Sequence, residues 1–546
     1  MGSAMRGLIM DRPLLISSLL EHADRVSGDR EIVSRSDEGR IHRYTYHDAH
    51  TRSRQLANAL TALGVQIGDR IATVAWNTHR HLEIYFAVSG IGAITHTLNP
   101  RLHPSQLGYI ANHAEDSYIF VDTNLVPLIE VVAGDLPALK GVIVMTDKAN
   151  MPTAKIDNLL CYEDLIDNNS DDLVWPEFDE NTASSLCYTS GTSGNPKGAL
   201  YSHRSTIIHA YAAALPDVMN LSERSVVLPV VPMFHANAWG IPYSAAMTGS
   251  KLVFPGAHLD GASIHELLVA EEVTFAAGVP TVWLALLNHW RETGTRVPSL
   301  EMTVIGGSAI PQSMIEAFQE DFGVAVRHAW GMTEMSPLGS VSIVKPRLDS
   351  ASNEEKYRVQ IKQGRPVYGV EVRIVDDDGN LLPHDGEAFG ELQVRGPWIT
   401  SSYFRLDTSE AHGADGWFAT GDVCTIDSDS YIEITDRAKD VIKSGGEWIS
   451  SIELENVAMG HPDVLQAAVI GVAHPKWDER PLLIVVPAPG KQPTHDDLTA
   501  FLTDKVAKWW LPDDMVLVDE LPLGATGKVL KTKLREQFGD HKLPTA

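Results

Sequence analysis

The sequence predicts an α/β fold, with a large N-terminal domain of layered α/β subdomains and a small β subdomain, followed by a small α+β C-terminal domain. Three observations lead to it. Helical periodicity alternates with short β-rich runs from about residue 45 to 345, the pattern that places helices on the faces of a sheet. Several of those runs end in glycine or polar turns, the end at which open α/β sheets carry ligands. Between roughly 365 and 435 the pattern changes to short strands with closely spaced turns, which reads as a separate small sheet.

In chain order, Ala49, Leu56, Ala59, Leu60 and Leu63 recur at helical spacing, and the apolar run 71–76 is then a buried strand. Residues 118–121, 142–145, 226–231, 251–254, 273–276 and 302–305 repeat the strand signal. The turns Asp378-Gly379-Asn380 and His384-Asp385-Gly386 punctuate the small β unit. After Asp436 come β-rich runs at 466–472 and 482–486 and an amphipathic helix over about 496–508. The stretch 437–440 is charged rather than Gly/Ser-rich and reads as a short hinge, dividing the chain into domains 1–437 and 438–546.

With 546 residues the chain exceeds one ordinary core. Its 71 acidic and 44 basic residues give a net charge of −27, which repels polyanions and argues against a nucleic-acid scaffold. Three widely spaced cysteines, Cys161, Cys187 and Cys424, support neither a disulfide framework nor a Cys-rich zinc site. A reducing cytoplasm is the expected compartment. No run approaches the ~18 apolar residues of a membrane span, and the N-terminus lacks the charged-then-apolar pattern of a secretion signal. Residues 1–4 read as an appended tag ahead of a native start at Met5.

The run Cys187-Tyr188-Thr189-Ser190-Gly191-Thr192-Ser193-Gly194-Asn195-Pro196-Lys197-Gly198 has the ingredients of a polyphosphate cradle. Its glycines let backbone amides approach an anion, Thr189, Ser190, Thr192 and Ser193 offer hydroxyls, and Lys197 offers a positive charge. An apolar run enters it and a helix-like segment follows it. It is not a Walker A loop, since Lys197 follows Pro196 and precedes Gly198. The competing reading is an ordinary surface turn.

Further clusters fall at comparable positions. Ile305-Gly306-Gly307-Ser308-Ala309-Ile310-Pro311 follows a strand, and Trp330-Gly331-Met332-Thr333-Glu334 follows the apolar stretch 324–326. Downstream lie Gly390-Glu391-Leu392, Arg395-Gly396-Pro397, Asp415-Gly416-Trp417, Thr420-Gly421-Asp422, Asp436-Arg437 and Gly527-Lys528. Each alone is a weak signal. In this order and at these separations, over about residues 30 to 535, they resemble the adenylate-forming superfamily of acyl-CoA synthetases, peptide-synthetase adenylation domains and beetle luciferases.

The resemblance implies a mobile C-terminal domain and a set of roles. Thr189 to Gly194 and Lys197 would clamp the β and γ phosphates of ATP. Glu334 would bind Mg²⁺ and Thr333 would meet the α-phosphate. Gly307, Ser308 and Ala309, with Trp330 and Gly331, would frame adenine, while Asp422 and Arg437 would hold the ribose. Lys528 would be the adenylation catalyst, grouped with Thr333 and Lys197 as catalytic residues. Lys439 occupies the hinge position. Lys443, Gly445, Gly446, Glu447 and Trp448 would admit CoA after domain rotation. The sequence Pro522-Leu523-Gly524-Ala525-Thr526-Gly527 before Lys528 departs from the commoner family pattern.

Pro232-Met233-Phe234-His235-Ala236-Asn237-Ala238-Trp239-Gly240 resembles the acyl-site segment of fatty and medium-chain acyl-CoA synthetases. His235, Trp239, Gly306 and Pro337 are the expected substrate residues, with His235 equally readable as a core histidine. The bulk of Trp239 favours a short or medium aliphatic acid, and the chain is also similar to ligases for methylmercaptopropionate, a thioether acid. The expected reaction joins a carboxylic acid to CoA through an acyl-adenylate, with ATP, Mg²⁺ and coenzyme A required and a homodimer left open. Only 18 residues follow Lys528, which favours CoA over a fused carrier domain. Delivery of the acyl group to a separate carrier protein and a non-catalytic ATP sensor remain alternatives at this stage.

Overall fold

The computed structural model describes residues 5, 7–36, 39–189, 195–376, 378–406, 411–437, 440–444, 447–503, 505–524 and 528–546, with the backbone alone at 436, 437, 447 and 448. Among these residues the strands form four sheets. A seven-stranded sheet runs Leu159–Cys161, Gly141–Val144, Tyr118–Val121, Arg70–Val74, Ile94–Thr97, Ala183–Tyr188 and Gly198–Ser202. Its neighbours pair in parallel except at the last position, where Tyr188 lies opposite Gly198 in an antiparallel hairpin.

A nine-stranded sheet forms the other half of the body. Its parallel centre carries Phe275–Gly278, Met302–Gly306 and Ala325–Gly331 side by side. The helix Pro280–Thr293 covers it by burying Trp283, Leu286, Leu287 and Trp290, the i, i+3, i+4, i+7 stripe of a helix with one apolar face. Proline at its first turn and Gly294, at φ +67°, bound that helix.

The small β unit is a four-stranded antiparallel sheet of Glu371–Val375, Phe389–Arg395, Phe418–Ile426 and Ile432–Arg437. The C-terminal unit has its own sheet, in which Val464–His474 pairs Asp478–Pro487. Alternation along these strands buries Val469, Leu483 and Val485 under Leu454 and Leu498 on one face, and Ile470, Leu482 and Ile484 under Leu534 on the other. The predicted α/β class and the small β sheet are therefore both present.

Several local expectations are corrected. The segment after the glycine-rich run is first the strand Gly198–Ser202, and the helix begins only at His203, capped by Ser202 and Ser205. A Cβ at Gly198 would sit 3.0–3.2 Å from Leu186, Phe404 and Tyr188, so glycine is what lets this strand close on its partner. The strand expected over 226–231 ends at Pro229, because the carbonyls of Pro229 and Val231 accept from Asn77 Nδ2, each at 2.9 Å. The run 273–276 becomes Phe275–Gly278, with the Val273 N–H still closing the preceding helix on Leu268. The helix expected over 496–508 ends at Leu502, and Lys508–Trp510 is a separate 3₁₀ turn. The strand at 325 runs on through Trp330 and Gly331.

Candidate active site

The glycine-rich run joins two antiparallel strands, Ala183–Tyr188 and Gly198–Ser202. The Thr189 N–H donates to the Lys197 carbonyl at 2.9 Å and the Lys197 N–H to Thr189 Oγ1 at 3.3 Å, which fixes the base of the connection. Ser190, Gly191, Thr192, Ser193 and Gly194 lie outside the described residues. Beside this base, Lys197 Nζ stands 4.9 Å from the centre of the Tyr403 ring, and the Tyr403 hydroxyl donates to Glu334 Oε1 at 2.7 Å. The Thr400 N–H holds the Glu334 carbonyl at 2.8 Å, and the Phe404 N–H holds that of Gly198 at 2.8 Å.

The loop from Trp398 to Phe404 therefore ties the strand that begins at Gly198 to the turn that carries Thr333 and Glu334. Burial, with the Glu334 charge added to it, pushes the Tyr403 phenol well up, so its proton stays in place to hold the carboxylate. His412 packs edge-on against the same ring at 5.2 Å. Burial, opposed by the Thr400 backbone and reinforced by the Lys197 charge, moves its pKa down.

Asp422 is 4% exposed and accepts from the Trp330 indole N–H at 3.0 Å. Its backbone pairs with that of Arg437 on the neighbouring strand. The Trp330 ring lies where a Cβ at Gly339 would approach to 2.6 Å. Gly331 is equally constrained, since a Cβ there would meet the Pro337 carbonyl at 1.7 Å, and the Met332 N–H donates to that carbonyl. Gly307 has φ +88°, a left-handed conformation natural to glycine. Beneath its loop His328 is 2% exposed, with Nδ1 against the Ile361 carbonyl at 2.9 Å. Burial pushes it down to about 4, opposed by the backbone of Ile361, Lys362 and Ser308.

Lys528 reaches this surface from the C-terminal unit. Its Cε lies 3.9 Å from the Cβ position of Gly307. The same charge acts on His235, whose pKa is pushed down to about 4 chiefly by burial and then by Lys528. A cavity of about 1220 Å³ opens between body and C-terminal unit, lined among others by Arg101, Pro280, Gly307, Ser308, Ala309 and Lys528. Trp239 completes the arrangement, with its ring 3.3 Å from the Cβ position of Gly306.

The segment that carries Trp239 has unusual backbone geometry. Ala236, Asn237, Ala238 and Trp239 have φ +43°, +53°, +50° and +57°, followed by Gly240 at +76°. Four successive L-residues in the left-handed region cost roughly 1–2 kcal/mol each, so the surrounding structure must impose the turn.

The model of the AMP-binding enzyme family matches residues 20–404, and that of the AMP-binding enzyme C-terminal domain matches 453–528. The chain belongs to the AMP-binding enzyme family. It is 53% identical over 536 residues to 3-methylmercaptopropionyl-CoA ligase of Ruegeria lacuscaerulensis, covering 98% of this chain and 99% of that protein. It is 51% identical to medium-chain-fatty-acid–CoA ligase of Ectopseudomonas oleovorans, covering 98% of both. Among solved structures, the anthranilate CoA ligase AuaEII in complex with anthranoyl-AMP superposes with a TM-score of 0.86 at 26% identity, over 96% of this chain and 98% of that one.

In this AMP-binding enzyme the structure brings together Thr189, Lys197, Thr333 and Glu334 at one end, Trp330 and Asp422 in the middle, and Gly306, Gly307, His235, Trp239 and Lys528 at the other. It does not bring Lys443 to them. The strands Ile442–Ser444 and Glu447–Ile449 form a hairpin in which Lys443 is exposed, and neither Lys443 nor Ser444 lines the Lys528 cavity. Lys439, Gly445 and Gly446 lie outside the described residues, as do the side chains of Arg437, Glu447 and Trp448. Sequence reasoning missed Tyr403, His328 and the left-handed turn. Tyr403 lies six residues beyond the noted Arg395-Gly396-Pro397, a motif that carries no signal for its meeting with Glu334.

Proposed function

We propose that this chain joins a carboxylic acid to coenzyme A at the expense of ATP, through an acyl-adenylate, with pyrophosphate and AMP as the other products. The observation that carries the reading is Lys528, delivered from the C-terminal unit onto Gly307 and His235. A lysine seated there argues against an idle one in a nucleotide sensor. Thr189 and Lys197 shield the outer phosphates, so that an anionic carboxylate can approach the α-phosphorus without prohibitive repulsion. The chemistry of the site suits Mg²⁺: Glu334 would hold it through a hard carboxylate oxygen, and the neighbouring Thr333 hydroxyl would meet the α-phosphate. When bound, the metal neutralises charge on the phosphates.

Asp422 is placed to accept the ribose hydroxyls, and Trp330, fixed by Asp422 and Gly339, presents a flat face for adenine. Lys528 stabilises the charge that builds between carboxylate and α-phosphate, an electrostatic task that needs no proton transfer. The thioester step requires CoA to enter, and the hairpin bearing Lys443 is the element the reading assigns to it, after rotation about Lys439 at a domain boundary placed between 437 and 438. Gly306, Pro337, His235 and Trp239 border the acyl site. The names of the relatives and the bulk of Trp239 support a short or medium aliphatic acid, 3-(methylthio)propionate included. The three cysteines are all buried free thiols, which suits a cytoplasmic setting, and among the described residues no helix is long and apolar enough to cross a membrane. Near-complete exposure of Leu8, Ile9 and Met10 supports a homodimer.

The test is carboxylate-dependent pyrophosphate release followed by CoA-dependent AMP release, with short, medium, thioether and aromatic acids competing in one thioester assay. The reading expects thioester formation with the aliphatic or thioether acids. Absence of thioester from the whole panel would refute it, and preference for an aromatic acid would refute the pocket assignment.

A further inference from the structure

The left-handed turn at residues 236–240 is not explained by its own sequence. Alanine and tryptophan have no preference for positive φ, and of its four non-glycine members only Asn237 visits that region readily. What holds the turn lies outside it. Asn237 is 3% exposed. Its Nδ2 donates to Ser185 Oγ at 2.9 Å, and its Oδ1 accepts from the Tyr85 hydroxyl at 3.3 Å and the Cys187 thiol at 3.4 Å. Ser185 and Cys187 are buried residues two apart on one face of the strand Ala183–Tyr188, next to the edge strand of the seven-stranded sheet, and Tyr85 is fully buried.

The preceding segment is pinned in the same way. The Met233 N–H donates to Asn77 Oδ1 at 2.6 Å, and the Met233 carbonyl accepts from Tyr85. Within the turn, the Ala238 N–H reaches the Pro232 and His235 carbonyls, each at 3.2 Å. A buried amide that lost these partners would be costly to leave in place, so the side chain and the backbone conformation stand or fall together. At the far end of the turn Gly240 rules out any side chain, because a Cβ would meet the His209 ring at 2.7 Å. The one large group the turn projects is Trp239, against Gly306.

We infer that Asn237 is a positioning residue for acyl-chain selection: its buried amide, anchored on Ser185, Cys187 and Tyr85, imposes the left-handed turn that keeps Trp239 against Gly306 and so sets the depth of the acyl site. Loss of the anchor lets residues 236–239 relax toward right-handed geometry, which withdraws the indole and lengthens the pocket. The inference rests on the acyl-site reading given above. It also separates depth, set by Asn237 through Trp239 against Gly306, from chemistry, which Lys528 performs beside Gly307.

The test measures kcat/KM for a series of straight-chain acids from short to long, together with the KM for ATP and the melting temperature, in Asn237→Ala, Ser185→Ala and Trp239→Gly. Ser185→Ala removes the partner of the amide from a neighbouring strand and leaves the turn's own sequence intact, so it carries the test if Asn237→Ala does not fold. Trp239→Gly should raise the long-to-short ratio, and Asn237→Ala or Ser185→Ala should raise it in the same direction by about tenfold, the discrimination worth of one methylene in an apolar pocket, while the KM for ATP stays within about twofold. A shift with Trp239→Gly but none in a folded Asn237→Ala or Ser185→Ala overturns the inference and leaves the pocket reading intact. No shift with Trp239→Gly overturns the pocket reading itself.

Discussion

Lys528 and Lys443 stand on two different parts of one small C-terminal unit, and in this structure it is Lys528 that lies against Gly307 of the body. Lys528 lies against Gly307 and lines the cavity shared with the body, whereas Lys443 is exposed on its hairpin and away from that cavity. The hairpin is nevertheless well supported from within its own unit. The Lys443 N–H donates to Glu479 Oε2 at 3.0 Å, and Arg480, paired with Asp513 at 2.6 Å, donates to Ser444 Oγ at 3.3 Å. These bonds hold the Lys443 backbone and the Ser444 side chain to the neighbouring strand of the same unit. On the reading proposed above, the difference is the one expected if the two half-reactions call on two orientations of the unit, the first presenting Lys528 and the second the hairpin of Lys443.

The comparison can be broken most decisively at Lys528. Lys528→Ala should lower acid-dependent ATP–pyrophosphate exchange by about 10²- to 10³-fold, the usual worth of a group that stabilises transition-state charge. An exchange rate close to that of the unaltered protein would move the adenylation chemistry elsewhere. Lys443→Ala should leave exchange intact and slow only CoA-dependent AMP release, by roughly tenfold for one charge-assisted contact; a fall in exchange instead would place the hairpin in the first half-reaction.

These two lysines also mark what the sequence made legible. Glu334 and Asp422 were singled out because each sits in a short string with a constrained glycine, Gly331 or Gly421, and Lys528 because it closes the last of the ordered motifs. Tyr403 was not, because its partner Glu334 is 69 residues away and nothing near Tyr403 encodes that meeting. The turn at 236–240 was invisible for another reason: helical or strand periodicity has no signature for left-handed L-residues, and the groups that hold Asn237 there, Ser185, Cys187 and Tyr85, are distant in the chain. The helix expected straight after the glycine-rich run failed because the strand Gly198–Ser202 is set by pairing with Ala183–Tyr188, a tertiary event.

A third expectation sharpens the contrast within the body. Tyr403→Phe removes the hydroxyl that orients Glu334 while keeping the ring beneath Lys197. The Mg²⁺ concentration needed for half-maximal exchange should rise by about tenfold, in keeping with a hydrogen bond to a charged group, and calorimetric binding of Mg·ATP should weaken in parallel. If neither changes, Tyr403 only packs.

The smallest effect concerns stability of the body against acid. His81, His203 and His328 are pushed by burial down to about 4 and His209 down to about 3. His203 and His209 each accept a backbone N–H on a ring nitrogen, from Ile16 and Leu338, which protonation would abolish. Folding therefore keeps these rings neutral, while the unfolded chain takes up protons below its ordinary histidine pKa of about 6.5. The unfolded state binds more protons throughout the window from about 6.5 down to about 4, so stability must fall as pH falls through it and level off above it. Melting temperature followed across that range should decline toward acid, and a flat profile would contradict the assignment.

The most direct measurement supplies chemically prepared acyl-adenylate and CoA to Lys528→Ala and to Lys443→Ala and follows thioester formation in a single turnover. Assignment of the two lysines to successive half-reactions predicts that Lys528→Ala, inactive in exchange, completes the thioester at nearly the unaltered rate, whereas Lys443→Ala lags. If Lys528→Ala fails on the preformed adenylate as well, the two orientations do not divide the chemistry between them.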